Sequence, residues 1–168
     1  FDADGYTDLA LNNSGHVSVE FSDLDPTLGI NLFYGSKKGF DFDEPRTVLR
    51  EYQAAIMNTA DFNRDGYLDI VTGRFSKKKG EPDEEVAIYY GSKQGFIKEN
   101  RSAIPLEGYG FGVVIADFDK DDWLDIAVTN YDTGSILVFK GSSDGFDRNR
   151  FEKVHSCGPI GIETADLN

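Results

Sequence analysis

Carboxylates recur at alternate positions in four short segments of this sequence. The two complete runs are Ala60-Asp61-Phe62-Asn63-Arg64-Asp65-Gly66-Tyr67-Leu68-Asp69-Ile70 and Ala116-Asp117-Phe118-Asp119-Lys120-Asp121-Asp122-Trp123-Leu124-Asp125-Ile126. With Asp61 as position 1, oxygen-bearing side chains fall on positions 1, 3, 5 and 9, and Gly66 on position 6. Alternate residues of a tight loop point to a common centre. A hard cation takes about 6–8 oxygens at roughly 2.3–2.6 Å. Asp61, Asn63, Asp65 and Asp69, the Tyr67 carbonyl and water can supply them, and Gly66 permits the positive φ of a sharp turn. Asp117, Asp119, Asp121, Asp125 and the Trp123 carbonyl are the matching candidates in the second run. There Asp122 replaces glycine, which predicts some strain and an extra carboxylate beside the ion.

The chain opens within the same motif, with Asp2, Asp4, Tyr6 and Asp8 on positions 3, 5, 7 and 9. It closes within another copy, Ala165-Asp166-Leu167-Asn168, where Asp166 and Asn168 are the candidates. These two loops are incomplete, so their sites are expected to be empty or distorted. An EF-hand would need Glu at position 12, where Thr72 and Val128 stand. Magnesium fits less well than calcium, because it demands octahedral geometry and keeps its waters. A single Asp-rich turn can also be a solvated loop held by side-chain-to-backbone bonds. Four copies in register weigh towards the cation.

A second motif alternates with the first: Tyr34-Gly35-Ser36, Tyr90-Gly91-Ser92 and Lys140-Gly141-Ser142, each followed after two residues by Gly-Phe, ending on Phe40, Phe96 and Phe146. From its first glycine to the next acidic motif the distances are 26, 26 and 25 residues; from the preceding acidic motif they are 27, 22 and 16. One half of the repeat is fixed and the other varies, as expected of packed structure against a surface loop. Short β-branched runs flank both motifs, such as Leu68–Thr72, Val86–Tyr90, Leu124–Val128 and Ile136–Phe139. No stretch keeps a 3.6-residue apolar period, so helix content should be low. Each repeat then holds four strands: one before the acidic loop, one after it, one before the Gly-Ser turn and one after that turn. Four strands in roughly 50–60 residues make a β-propeller blade. The recurring phenylalanines are expected in the blade-packing core.

On these two alternating motifs the sequence resembles the FG-GAP/VCBS repeats, the blade type of integrin α-chain propellers and of many secreted bacterial proteins. Gly110-Phe111-Gly112 lies where the family has its Phe-Gly; Ala55-Ile56 stands there in the preceding repeat. No Gly-Ala-Pro follows the strand after the acidic loop, which places the sequence nearer the bacterial type. The resemblance implies an all-β fold with a nine-residue calcium loop joining the first two strands of each blade. The expected architecture is about three blades of a larger, seven-bladed propeller. Residues 1–50 would be a blade lacking its first strand, 51–105 and 106–156 complete blades, and 157–168 the first strand of a following blade.

Composition narrows the function. Of 168 residues, 39% are hydrophobic and 13% aromatic, enough for a packed core. The net charge of −13 argues against nucleic acid and against anionic lipid. No apolar run approaches the roughly 18–20 residues that span a bilayer. The acidic motifs hold twelve carboxylates; without them 18 acids face 17 bases. The charge is therefore concentrated in the candidate metal loops. Cys157 is alone, so no intrachain disulfide forms.

The acidic loops and Gly-Ser turns should share one face of the blades, with the variable loops on the other. Tyr52, Tyr109 and Tyr131 lie near that second face and are candidate ligand contacts, although packing between blades is the more ordinary role for them. No Ser/His/Asp or Cys/His constellation can be assembled. The reading is an extracellular or cell-surface, calcium-binding, non-catalytic segment for adhesion or recognition of a protein or glycan ligand, packed against further blades. Two alternatives stand beside it. One is the propeller of a secreted polysaccharide lyase or hydrolase, for which Glu20, Asp23, Asp25 and Glu107 are the only acid/base candidates. The other is a surface-layer or filament component.

Overall fold

The computed structural model describes residues 1–13, 28–43, 47–51, 54–74 and 85–165. Among these there is no helix, and eleven strands form three antiparallel sheets. The first sheet holds β1 (Leu9–Asn13), β2 (Gly29–Phe33) and β3 (Thr47–Leu49). The second holds β4 (Ala54–Ala60), β5 (Asp69–Arg74), β6 (Glu85–Tyr89) and β7 (Arg101–Pro105). The third holds β8 (Gly110–Ala116), β9 (Asp125–Asn130), β10 (Ser135–Phe139) and β11 (Phe151–His155). In every sheet the spatial order follows the chain order, which is the up-and-down meander of a propeller blade. The first sheet lacks the strand that precedes an acidic loop. Residues 157–165 form no strand. They pass over the third blade, where the Thr129 hydroxyl donates to the Ile160 carbonyl at 3.2 Å.

The core lies between blades, and strand alternation explains why. Successive side chains on a strand point to opposite faces of its sheet. In β5 and β6, Ile70, Ala87 and Tyr89 pack with Ile30, Leu32 and Leu49 of the first blade. The intervening Val71, Val86 and Ile88 pack with Val113, Ile126, Val128 and Phe139 of the third. Both faces are covered, so β5 and β9 are buried along their whole length. β11, at the edge of its sheet, is exposed throughout. The ladders β4–β5 and β8–β9 slip at the same place, between Ala54 and Met57 and between Gly110 and Val113. This is the position of the Phe-Gly motif, and the irregularity lets the blades nest there. A Cβ at Gly73 would run into the Gly110 carbonyl of the next blade.

The recurring phenylalanines divide. Phe96 and Phe146 each meet, edge to face, the residue at position 2 of the acidic loop of the preceding blade. Phe96 lies 5.5 Å from Phe1, and Phe146 lies 5.5 Å from Phe62. Phe96 is buried and Phe146 packs against the core. Phe40 departs from the expected core position. It has no such loop beside it and is 37% exposed, resting on Phe42.

A buried ionic network ties the connection between the first two blades to the strands of the second. Glu51 is 3% exposed, in the connection between β3 and β4. It accepts from Arg74 Nε at 2.8 Å, from the Tyr89 hydroxyl at 2.7 Å and from Arg101 at 3.1 Å. Arg101 also pairs with Glu85. Burial, and then the charge of Glu51, push the Tyr89 phenol well above its ordinary range. Removing one partner of such a network leaves buried charge uncompensated, at about 3–5 kcal/mol. Glu51→Ala should therefore lower the unfolding free energy by about that amount in urea titration, whereas Val154→Thr on the exposed strand β11 should change it by less than about 0.5 kcal/mol.

Candidate metal centre

Each acidic loop begins with its own hydrogen bonds, which fold the chain around an oxygen cluster. In the second blade, Asp61 accepts from the backbone N–H of Asp65 at 3.1 Å and of Gly66 at 2.9 Å. Asp65 in turn accepts from Tyr67 N–H at 2.9 Å. The third blade repeats this. Asp117 accepts from Asp121 at 3.1 Å and from Asp122 at 2.9 Å, and Asp121 accepts from Trp123 at 2.9 Å. In the first loop Asp4 accepts from Tyr6 N–H at 2.9 Å. Position 6 has positive φ in all three loops: 90° at Gly5, 89° at Gly66 and 70° at Asp122. The left-handed Asp122 expected from the sequence is thus present. Position 4 is left-handed as well, at Ala3, Arg64 and Lys120, which the residue types did not announce.

Position 9 does more than offer a ligand. Asp69 is fully buried; its Oδ2 accepts from Phe62 N–H at 2.8 Å and its Oδ1 from Gly91 N–H at 2.9 Å. Asp125 accepts likewise from Phe118 at 3.0 Å and from Gly141 at 2.9 Å, and Asp8 accepts from Gly35 at 2.9 Å. One carboxylate therefore ties the acidic loop to the Gly-Ser turn in each blade, which puts both on one face. The glycines are required by packing. A Cβ at Gly35, Gly91 or Gly141 would strike the carbonyl of Thr7, Leu68 or Leu124. Their threefold recurrence was the sequence signal for this contact. The turn then closes on itself, with the Ser92 hydroxyl donating to the Gly95 carbonyl at 2.7 Å and Gly95 at φ 82°.

The donor set suits a hard cation. Carboxylate oxygens of Asp2, Asp4 and Asp8 lie within 4.8 Å of one another, as do those of Asp117, Asp119 and Asp125. The second loop carries Asn63 in place of a carboxylate; its amide donates to Asp65 at 3.0 Å. Only oxygens converge, with no histidine or cysteine among them, and crowded carboxylates repel unless a cation lies between. At Asp69 burial is the main influence: it raises the pKa from 3.8 to about 6 against the lowering by the Gly91 and Phe62 N–H bonds, and the charges of Asp65 and Asp61 add the least. Each carboxylate oxygen has a second lone pair, so these hydrogen bonds leave room for a metal.

The loops of adjacent blades also touch. Arg64 of the second loop lies over the Trp123 ring at 4.0 Å and donates to the Asp122 carbonyl. Beside the third loop, Lys140 Nζ is 3.4 Å from both Asp119 and Asp125, and Arg150 is 3.8 Å from Asp121. Neither cation belongs to the acidic motif itself.

The other candidates are scattered. Tyr109, half-buried, and Tyr131, 47% exposed, flank Phe111 with ring centroids at 6.5 and 5.8 Å. They lie at the opposite end of the blade from the acidic loops, on the connections β7–β8 and β9–β10. Tyr52, Asp166 and Asn168 fall outside the described residues, as do Glu20, Asp23 and Asp25. Glu107 is exposed, and among the described residues only its backbone carbonyl is engaged, by Asn130 at 2.7 Å. No acid/base pair is assembled among the described residues from these candidates.

Comparison with known proteins gives the same motif. Residues 1–72 match the model of the FG-GAP-like repeat. Integrin alpha-8 of Gallus gallus is 28% identical over 154 residues, covering 82% of this chain and 14% of that protein. The Homo sapiens integrin alpha-8 is 26% identical over 155 residues, with the same coverage of 82% and 14%. Integrin alpha-6 of Gallus gallus is 38% identical over 92 residues, 51% of this chain and 8% of that protein. The chain thus spans about one seventh of the length of the alpha-8 relatives. No solved structure matches. Residues 1–72 are thus similar to the FG-GAP-like repeat, and the chain is similar to part of integrin alpha chains; these matches do not bear on the bacterial type expected from the missing Gly-Ala-Pro.

The raised pKa of Asp69 sets a sign. In the chelated protein the folded state holds this proton more tightly than the unfolded chain, so its contribution to stability falls as pH rises from about 4 through about 6. In urea titrations with chelator, the stability advantage of the wild type over Asp69→Asn should be smaller at pH 7 than at pH 4.5. Millimolar calcium should restore it at pH 7.

Proposed function

We propose that this chain is a calcium-stabilised segment of an extracellular propeller that recognises a protein or glycan ligand in adhesion, without catalysis of its own. The observation that carries the reading is the recurrence of one loop geometry in three blades, with carboxylate oxygens gathered within 4.8 Å in the first and third. Asp61, Asn63, Asp65, Asp69 and the Tyr67 carbonyl would hold calcium in the second blade. Asp117, Asp119, Asp121, Asp125 and the Trp123 carbonyl would do so in the third. Asp2, Asp4, Asp8 and the Tyr6 carbonyl offer part of a site in the first. Bound calcium neutralises the crowded carboxylates and fixes each loop against its Gly-Ser turn. Extracellular modules bind calcium at about 10⁻⁴–10⁻³ M, which suits the concentration outside cells.

Recognition then belongs to the opposite face, where the connections vary in length and Tyr109 and Tyr131 stand beside Phe111. A rigid scaffold with variable loops is the usual arrangement for binding. The similarity to integrin alpha chains supports adhesion and packing against further blades.

Metal that binds only the folded state stabilises it by about 2.7 kcal/mol at a hundred times its dissociation constant. For a chain of this size that corresponds to about 5–10 °C in melting temperature. Calorimetry should show a drop of that order when calcium is replaced by excess chelator. An unchanged melt, with no calcium retained by mass spectrometry, would overturn the calcium assignment.

A further inference from the structure

The two complete loops share one backbone geometry but differ in their surroundings. At the residue before the Gly-Ser turn the first two blades carry Tyr34 and Tyr90, and the third carries Lys140. Tyr90 turns its hydroxyl to Ser102 at 3.0 Å. Lys140 has Glu152 at the corresponding place on the neighbouring strand, at 3.6 Å, and also reaches the acidic loop. Its ammonium is 3.4 Å from Asp119 and 3.4 Å from Asp125, two of the three carboxylates that cluster there. The side chain is 9% exposed, so its stem is held by its surroundings. The exchanges are paired: Asp119 stands where the second blade has Asn63, and the lysine that contacts it stands where that blade has Tyr90.

We propose that Lys140 is a tethered cation of the third loop, competing with calcium for the Asp119 and Asp125 carboxylates and leaving this blade less dependent on metal than the second. The inference rests on the calcium reading above. A lysine ammonium offers three donors and no acceptor, so it can contribute to the site only as charge. A divalent ion on the same two oxygens would lie within a few ångströms of Nζ, where like charges repel strongly in a partly buried setting. Binding must therefore displace the ammonium from a buried position or share the oxygens against that repulsion. The second loop, with Asn63 and Tyr90, has no such resident ammonium among the described residues. Its own Arg64 is turned onto Trp123 and the Asp122 carbonyl.

Trp123 is the one tryptophan of the chain, and its ring lies against Arg64 of the second loop, so each loop is read alone. Asp61→Ala removes the site of the second loop and Asp117→Ala that of the third. Terbium, a luminescent stand-in for calcium, is titrated into each 168-residue protein, and emission is excited where only tryptophan absorbs. The midpoint in Asp61→Ala, which reports the third loop, should lie at higher terbium than that in Asp117→Ala, which reports the second. Adding Lys140→Tyr, which installs the residue of the other two blades, to Asp61→Ala should lower its midpoint by about tenfold, equivalent to about 1.4 kcal/mol. Adding Lys140→Met should shift it in the same direction, and circular dichroism confirms that each variant is folded. Bound terbium with an unshifted midpoint in both folded double variants would overturn the tethered cation and leave the calcium reading intact. Absence of sensitised emission in the wild type would overturn the calcium reading, and this inference with it.

Discussion

The buried aspartate at the end of each acidic loop is the contact on which the rest of the blade depends. Asp69 and Asp125 have no exposure, and each accepts one backbone N–H from its own loop and one from the Gly-Ser turn. An isolated buried carboxylate would be costly; two directed N–H donors offset much of that. The bond fixes where the second strand begins and where the third one ends, so it sets the register of the two central strands. It also places the oxygen cluster and the turn side by side. Architecture and candidate chemistry therefore share one side chain, and neither can drift without the other.

Packing follows a second constraint, the two-sidedness of a strand. A sandwich has one buried face per sheet, but a blade in the middle of this array has two. Ile70 and Val71 are neighbours in sequence and belong to different cores. This is why the central strands read as continuous apolar runs in an antiparallel sheet, where alternation would otherwise be expected. Close approach between blades is secured by small residues, as where Gly73 meets the Gly110 carbonyl.

Much of this was legible in the sequence because it is repeated. Two motifs alternating three times give the strand order and the loop positions, and Gly66 and Asp122 have the positive φ their places required. Contacts made once were not legible. Glu51, Arg74, Tyr89 and Arg101 are far apart in the chain and carry no shared spacing, yet they form one buried network. Lys140 stands in its motif where the other blades have tyrosine, and its charge matters only beside Asp119 and Asp125, a contact no spacing announces. The double duty of the last aspartate was hidden for a different reason. A carboxylate that binds metal and one that accepts backbone N–H groups look the same as residue types. Phe40 shows the opposite error: recurrence implied a core position, but its burial depends on a neighbouring loop.

The docking of Phe96 on Phe1, and of Phe146 on Phe62, runs in one sense along the chain. A knob of each blade enters the socket of the one before. At the two ends of the described array, Phe40 is a knob with no socket and Phe118, 42% exposed, is a socket with no knob. The joint is therefore heterologous, like a head-to-tail subunit contact, and it closes into a ring only if the rotations sum to a full turn. Nothing in the joint itself counts blades. Duplicating or deleting one repeat would keep the joint the same, so in a ring closed by such joints the number of blades follows from wedge angle and changes by whole repeats.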